Sequence, residues 1–301
     1  MKNVKNEKYK MKDFKKNNIM TTLSILTFNL EYGGELTTYG KKYKQSYDKF
    51  INQYVTSISK FKPDIISFQE ILFNNDKLIK NNRATTSYAI SNALQYYYYE
   101  SVNNGLAIAS KYPIKKIFDK EYYCGIEIDI NNKLFRIFNL HLNHEPCAHF
   151  SLQNIPYSNT PKNLTPAEAA KISAKDKLPV LRDILKNSNK NTFIMGDFNE
   201  TSHLDWNEKA VKHGIVPCEV KWVISSYLSD NNFTDIIRKK YNCNIKYPMN
   251  TCDVIRKSNI KNAPARIDFI YTNAKIKHIT KACTIPLDLS DHLPVFVKLH
   301  L

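Results

Sequence analysis

The stretch Thr192-Phe193-Ile194-Met195-Gly196-Asp197-Phe198-Asn199-Glu200 passes from an apolar, strand-like run directly into a glycine, a carboxylate and an amide. Polar chemistry is thus placed where a buried strand stops. Three other segments repeat the pattern: Ser24-Ile25-Leu26-Thr27-Phe28 leads into Asn29-Leu30-Glu31, Asp64-Ile65-Ile66-Ser67-Phe68 leads into Gln69-Glu70, and Ser290-Asp291-His292-Leu293-Pro294 lies near the C-terminus. Gly-Asp-Phe-Asn also fits a plain strand-end turn, because Gly, Asp and Asn are turn residues. Recurrence in four segments argues instead for one shared site. A carboxylate emerging from an apolar strand is costly unless a cation or hydrogen-bond donor satisfies it, which is how a hydrolase builds a metal site.

Two further elements complete the set: Asn139-Leu140-His141-Leu142-Asn143-His144 after the apolar strand Phe135 to Phe138, and Arg266-Ile267-Asp268-Phe269-Ile270-Tyr271 before the last segment. In order and spacing, from about Leu23 to Leu301, these elements resemble the endonuclease/exonuclease/phosphatase superfamily. Its members are metal-dependent phosphoesterases, among them deoxyribonuclease I-like nucleases, abasic-site endonucleases, deadenylases, sphingomyelinases and inositol-polyphosphate phosphatases. The resemblance implies an α/β fold, a four-layer α/β sandwich of two mixed β-sheets flanked by helices. Its halves would be pseudo-symmetric, with the active site at one end. It also implies a metal-dependent phosphoric-ester hydrolase.

Such chemistry needs a cation on the phosphoryl oxygens, a base for water and help for a poor leaving group. The resemblance gives Glu70 and Asp291 as metal ligands in an oxygen-rich site that suits Mg²⁺ or Mn²⁺. Glu31 follows Asn29 by two residues, so an extended strand points both to one side; it is either a further metal ligand, as in abasic-site endonucleases, or solvent-facing. Asn29 is expected to orient ligands or phosphate. Asp197 is the group that activates or aligns the attacking water, with Asn199, two residues on and so on the same side of an extended strand, supplying an amide to the transition-state oxygens. In His292 and Asp268 a carboxylate fixes the imidazole tautomer and raises its pKa. His141 would face that pair across the scissile group, the alternative being a satisfied core histidine. His144 falls where several relatives place a phosphate-contacting Asn, and is either ligand-facing or on the surface.

Nucleic acid is the leading substrate. Inositol-phosphate phosphatases put Asp before Arg in the penultimate motif, whereas this chain reads Arg266-Ile267-Asp268, and no exposed aromatic hairpin suggests the membrane entry of a sphingomyelinase. A lipid or small-molecule phosphoesterase is the alternative, and a catalytically inactive binding module the least favoured reading. The formal charge of +16, from 44 basic and 28 acidic residues, favours a polyanionic partner, although Lys, Asn and Ile are abundant throughout and many lysines would simply be solvated. The Tyr96 to Tyr99 run could stack bases, but alternation sends at most half of its rings to one face, which favours core and rim packing.

The chain has 301 residues, 43% of them hydrophobic, without a Gly/Ser-rich or Pro-rich linker, which suits one catalytic domain over 21–301 after a basic, disordered extension over 1–20. No segment approaches the ~18 to 20 apolar residues of a membrane span, nor does the N-terminus carry a secretory h-region. A soluble, intracellular monomer is expected. Six scattered cysteines without a Cys-x-x-Cys pair are read as reduced thiols rather than a zinc site. Amphipathic stretches run from about Tyr43 to Phe61 and from Pro166 to Leu178, with Pro179 expected to break or kink the second. Asn104-Gly105 and Asn131-Asn132 mark turns between β-rich runs.

Overall fold

The computed structural model describes residues 21–34, 47–72, 85–157, 159–242, 245–252 and 264–301. The proposed extension over 1–20, Cys243 and the first residues of the Tyr43 to Phe61 stretch lie outside them. In chain order the first half comprises β1 (Thr22–Asn29), α1 (Tyr47–Ser59), β2 (Ile65–Gln69), α2 (Thr86–Ala93), β3 (Tyr97–Ser101), β4 (Leu106–Ser110), β5 (Ile114–Lys120), β6 (Tyr123–Ile130) and β7 (Lys133–His141). Then follow α3 (Ala148–Leu152), α4 (Pro166–Ala174), α5 (Lys177–Lys186), β8 (Thr192–Asp197), α6 (Glu208–Lys212), α7 (Val223–Asp230), β9 (Thr234–Asp235), α8 (Ile236–Lys240), β10 (Asp268–Thr272), β11 (His278–Thr284) and β12 (Val295–His300).

The strands form two six-stranded mixed sheets, ordered β11-β12-β1-β2-β4-β3 and β5-β6-β7-β8-β10-β9. Each has one parallel pair at its centre, β1 with β2 and β7 with β8, and antiparallel neighbours elsewhere. The two sheets thus repeat one pattern of strand directions. Strand alternation explains the layering. Leu23, Ile25 and Ile65 of the first sheet meet Ile126, Ile137, Phe193, Met195 and Ile270 of the second in the central core. The intervening residues face outward: Leu26, Phe28, Ile66 and Phe68 pack on α1 and α2, whereas Phe138, Leu140, Ile194 and Phe269 pack on α4, α5 and α7. The result is the four-layer sandwich expected from the sequence.

Local signals account for most element ends. In α1, Phe50, Tyr54 and Ile58 recur every four residues and form the buried stripe of an amphipathic helix; each such burial contributes about 1.5–3 kcal/mol. Lys62, with φ of 46°, and then Pro63 follow that helix and prevent its continuation. Between β6 and β7, Asn131 and Asn132 have φ of 54° and 60°, the left-handed pair of a type I′ hairpin turn. The break in the second amphipathic stretch falls earlier than Pro179: α4 ends at Ala174 and α5 starts at Lys177. Pro179 therefore occupies a first helical turn, where its missing N–H is harmless.

Candidate active site

At one end of the sandwich, the inward-facing positions change from apolar to polar. Along β1 the sequence of inward residues is Leu23, Ile25, Thr27, Asn29; along β2 it is Ile65, Ser67, Gln69; along β7 it is Phe135, Ile137, Asn139, His141. In β8, Phe193 and Met195 give way to Asp197, and in β10 Asp268 precedes Ile270. Strand register then brings the carboxylates together, because Asp197 is paired with Asp268 of β10 on one side and with His141 of β7 on the other. Beneath them an amide bridge ties the sheets: Gln69 Nε2 donates to Asn139 Oδ1 at 2.6 Å, and Asn139 Nδ2 donates to the carbonyls of Phe68 and Ala107 at 2.8 and 2.9 Å.

Gly196 is required immediately before this cluster. Its φ is 135°, and a Cβ there would lie 2.0 Å from the Leu140 carbonyl oxygen. The close β7–β8 approach leaves no room for a side chain.

Asp197 is the hub of the site. The backbone N–H of Asn199 donates to its Oδ1 at 2.8 Å, and Asn29 Nδ2 donates to its Oδ2 at 3.1 Å. The same Asn29 amide donates to Glu70 Oε1 at 2.9 Å, linking the two carboxylates. His141 Nε2 lies 3.7 Å from both Glu70 Oε1 and Asp197 Oδ2, beyond hydrogen-bond range. Glu70, His141 and Asp197 offer ligand atoms all within 4.8 Å of one another, and Asp197, Asp268 and His292 do so as a second group.

The second group is electrostatically asymmetric. His292 Nδ1 is 2.8 Å from Asp268 Oδ2, whereas its Nε2 is 3.8 Å from Asp197 Oδ2. Burial opposes a charged imidazole, but Asp268 outweighs it with further help from Asp197, and the His292 pKa stands well above its ordinary value. Asp197 is also shifted upward, first by burial and then by Asp268, against the pull of His292 and His141. Asp268 Oδ1 is buried without a hydrogen-bond partner. Among the described residues, the ion pairs of Glu70, Asp197 and Asp268 are with histidines alone.

A sequence profile of the endonuclease/exonuclease/phosphatase family matches residues 26–292. The chain belongs to this family. A fold with TM-score 0.54 and 20% identity is found in an endonuclease/exonuclease/phosphatase family protein from Leptotrichia buccalis, covering 93% of this chain and 100% of that one. Truncated Caenorhabditis elegans TDP2 gives 0.55 at 16% identity, covering 93% and 98%. D. rerio TDP2 complexed with a single-strand DNA product gives 0.52 at 13% identity, covering 93% and 99%. By sequence, the C. elegans "Uncharacterized protein F14F9.5" is 35% identical over 86 residues, so the match spans 26% of this chain and 27% of that protein.

Among the family positions singled out in the sequence, Asn29, Glu70, His141, Asp197, Asp268 and His292 meet at this end of the sandwich. Asn199 is present but turned: its Nδ2 donates to the Leu142 carbonyl at 2.9 Å, and its φ of 47° takes it out of strand alternation with Asp197. Glu31 likewise stands beyond β1 with φ of 50°, so the extended-strand argument for its direction does not apply. It is buried, and its N–H donates to Asn29 Oδ1 at 3.0 Å. Asp291 accepts from the Ser290 hydroxyl at 3.3 Å and, like Glu31, belongs to neither ligand group. His144 is exposed, 3.8 Å from Glu145 Oε1.

Left-handed backbone recurs around the family motifs, at Glu31, Tyr32, Glu70 and Asn199. The Glu70 turn is held by backbone bonds, with the N–H of Gly33 donating to the Glu70 carbonyl at 2.6 Å and that of Tyr32 to Glu70 Oε2 at 3.3 Å. Such strain persists only where surrounding structure fixes it and gathers at functional sites.

Sequence reading missed two buried polar assemblies next to these motifs. Asp205 joins Arg238 Nε at 2.5 Å and Arg266 Nη2 at 2.7 Å, and the same Arg266 nitrogen is 2.7 Å from Asp235. Behind the Asp197 turn, Lys177 is 1% exposed and Glu200 2% exposed. The position of Glu200 directly after Gly-Asp-Phe-Asn, of Asp205 five residues further on and of Arg266 in a family motif offered the available signal. Their partners lie far away in sequence.

Proposed function

We propose that this chain is a divalent-metal-dependent phosphoesterase that hydrolyses phosphodiester bonds in nucleic acid. The observation that carries the reading is the convergence around Asp197 of two further carboxylates, an amide and two imidazoles, with no Lys or Arg among their ion pairs in the described residues. An acid-rich set with histidine nitrogens and one orphaned buried carboxylate oxygen fits a hard cation, Mg²⁺ or Mn²⁺. Glu70 would hold it, with Asp291 and Glu31 as further carboxylates on adjoining segments. When bound, the cation neutralises phosphoryl oxygens and makes an attacking water more acidic.

The protein's own groups supply the remainder. Asn29 and the Asn199 N–H orient the Asp197 carboxylate, whose upward pKa shift brings it closer to the strength needed of a general base. Asp268 holds His292 in a charged form with Nε2 turned towards Asp197, placing a donor where negative charge develops on the phosphoryl group or leaving oxygen. Nucleic acid as substrate is supported by the net charge of +16 and by the DNA product bound to a protein of the same fold. No helix among the described residues is long and apolar enough to cross a membrane; a soluble, intracellular monomer is part of the proposal.

The test is a panel of plasmid DNA, single-stranded RNA, sphingomyelin, inositol phosphates and an aryl phosphodiester, with Mg²⁺ or Mn²⁺ and with excess chelator. Cleavage of DNA or RNA should require metal and weaken steeply with salt, as counterion release demands. Full turnover in chelator would overturn the metal assignment. Sphingomyelin hydrolysis with a shallow salt response would move the site to a lipid substrate.

A further inference from the structure

Lys177 is a fully buried cation that no step above uses. It opens α5, directly behind the Gly196 to Glu200 turn, and its Nζ donates to Ser173 Oγ at 3.1 Å and to the Asn199 carbonyl at 2.5 Å. At the next residue, Glu200 Oε1 accepts the Ile224 N–H at 2.9 Å at the start of α7. The turn is therefore gripped at two successive residues by groups from α5 and α7. On its other side, Asn199 donates its backbone N–H to Asp197 Oδ1 and its side-chain amide to Leu142.

We propose that Lys177 is a positioning residue for hydrolysis: by holding the Asn199 carbonyl it fixes the left-handed turn whose N–H aims the Asp197 carboxylate. Asn199 has φ of 47°, a left-handed conformation that asparagine tolerates better than most side chains, so sterics alone do not fix the turn and external restraint selects it over the alternatives. A single ammonium bonded to that residue's carbonyl is such a restraint. Burying a lysine is expensive unless it is paired. Burial pushes the Lys177 pKa down, and Glu200 and Asp197 on the turn that its Nζ bonds oppose that shift in part. Lys177 itself is 1% exposed, so it acts through Asn199 rather than by touching substrate. Asn199 and Glu200 are thereby shown different faces of one clamp.

The inference rests on the phosphoesterase reading for its kinetic consequence but not for its geometry, and the test separates the two. Lys177→Met keeps the length of the aliphatic stem and removes the donor. Amide hydrogen exchange of the peptide spanning 196–201, read by mass spectrometry without substrate, should accelerate about tenfold or more in the folded variant. With whichever substrate the wild-type protein cleaves, turnover should fall about tenfold to a hundredfold while KM stays within about twofold, because misaiming a reacting group costs transition-state rather than ground-state binding. Lys177→Gln, which keeps an N–H donor, should recover part of both losses. Unchanged exchange in folded Lys177→Met overturns the clamp, whatever the activity. Faster exchange with unchanged turnover overturns the catalytic consequence. If Lys177→Met does not fold, Lys177→Leu, which also lacks the donor, is read by the same two measures, and wild-type values in it overturn the proposal. Absence of hydrolysis in the wild type would sink the phosphoesterase reading and leave the exchange measurement to decide the clamp.

Discussion

Two buried clusters of carboxylates lie within the same half of the molecule and solve the same problem in opposite ways. Around Asp205 and Asp235, both almost inaccessible, Arg238 and Arg266 supply the positive charge at 2.5 to 2.8 Å, and Arg238 spends its remaining donors on the carbonyls of Tyr247 and Pro248. Around Asp197, Asp268 and Glu70 the protein offers amides and histidines. Buried carboxylates demand compensation in either case. Where arginines provide it the charge is matched by the protein itself; where the protein offers only amides and histidines, the proposed function has a bound cation supply the rest. The number of buried acids does not mark a site, but the identity of their partners does.

The sharpest way to break this contrast is to remove one member from each cluster and ask whether chemistry or stability responds. Asp197→Asn and His292→Ala should each lower turnover by ~10²- to 10⁴-fold with the thermal midpoint nearly kept, since base and charge-stabilising groups act mainly in the transition state. His203 provides the control. It lies six residues beyond Asp197 but bonds Ser225 Oγ through Nδ1 at 2.8 Å, so His203→Ala should leave turnover almost unchanged. Near-normal turnover of Asp197→Asn at saturating metal and substrate would mean that the base has been misassigned.

Arg266→Ala should do the reverse. Burial opposes the Arg266 charge, yet Asp205 and Asp235 hold its pKa above the ordinary range. Removing the guanidinium leaves two carboxylates without their shared partner, a loss of about 3–5 kcal/mol. Urea unfolding measures it directly, and the enzyme that remains folded should keep turnover within about an order of magnitude of wild type. A variant with wild-type stability but abolished turnover would merge the two clusters into one functional unit.

What was legible in the sequence followed the same division. The strands carrying the site could be read because their apolar runs keep period two and end in acids or amides, as in Phe193 to Asp197, and the Asn131-Asn132 turn is encoded by residues that tolerate left-handed backbone. The His292–Asp268 pair was legible through the family motifs. By contrast, the directions of Glu31 and Asn199 were inferred from alternation that no longer holds once φ turns positive at 50° and 47°. The exposed edge strand β5 was hidden because its apolar residues, Ile114, Ile117 and Phe118, do not alternate and its lysines face solvent, a common device for protecting an edge. Arg266 was legible only as part of a family motif and Lys177 carried no signal; tertiary packing alone makes them buried partners of residues tens of positions away.

His149 offers the smallest test of the same distinction, because it is a buried titratable group that belongs to neither cluster. It lies on α3, 4% exposed, its ring tilted at 42° to that of Phe150 with centroids 4.3 Å apart. Burial and then the Lys177 charge push its pKa down to about 3, whereas an unfolded histidine titrates near ~6.5. The unfolded chain therefore binds more protons between these values, so the contribution of neutral His149 to stability is fully present above pH ~6.5 and is lost as pH falls towards the folded value. The slope for one such group is at most about 1.4 kcal/mol per pH unit. Urea midpoints of the wild type and of His149→Phe, compared at pH 7 and pH 5.5, isolate this group from the carboxylates that titrate in both proteins. The variant should lose less stability on acidification than the wild type. Equal losses would show that His149 is accommodated in its charged form, and that the positive charge of Lys177 does not reach across the space between α3 and α5.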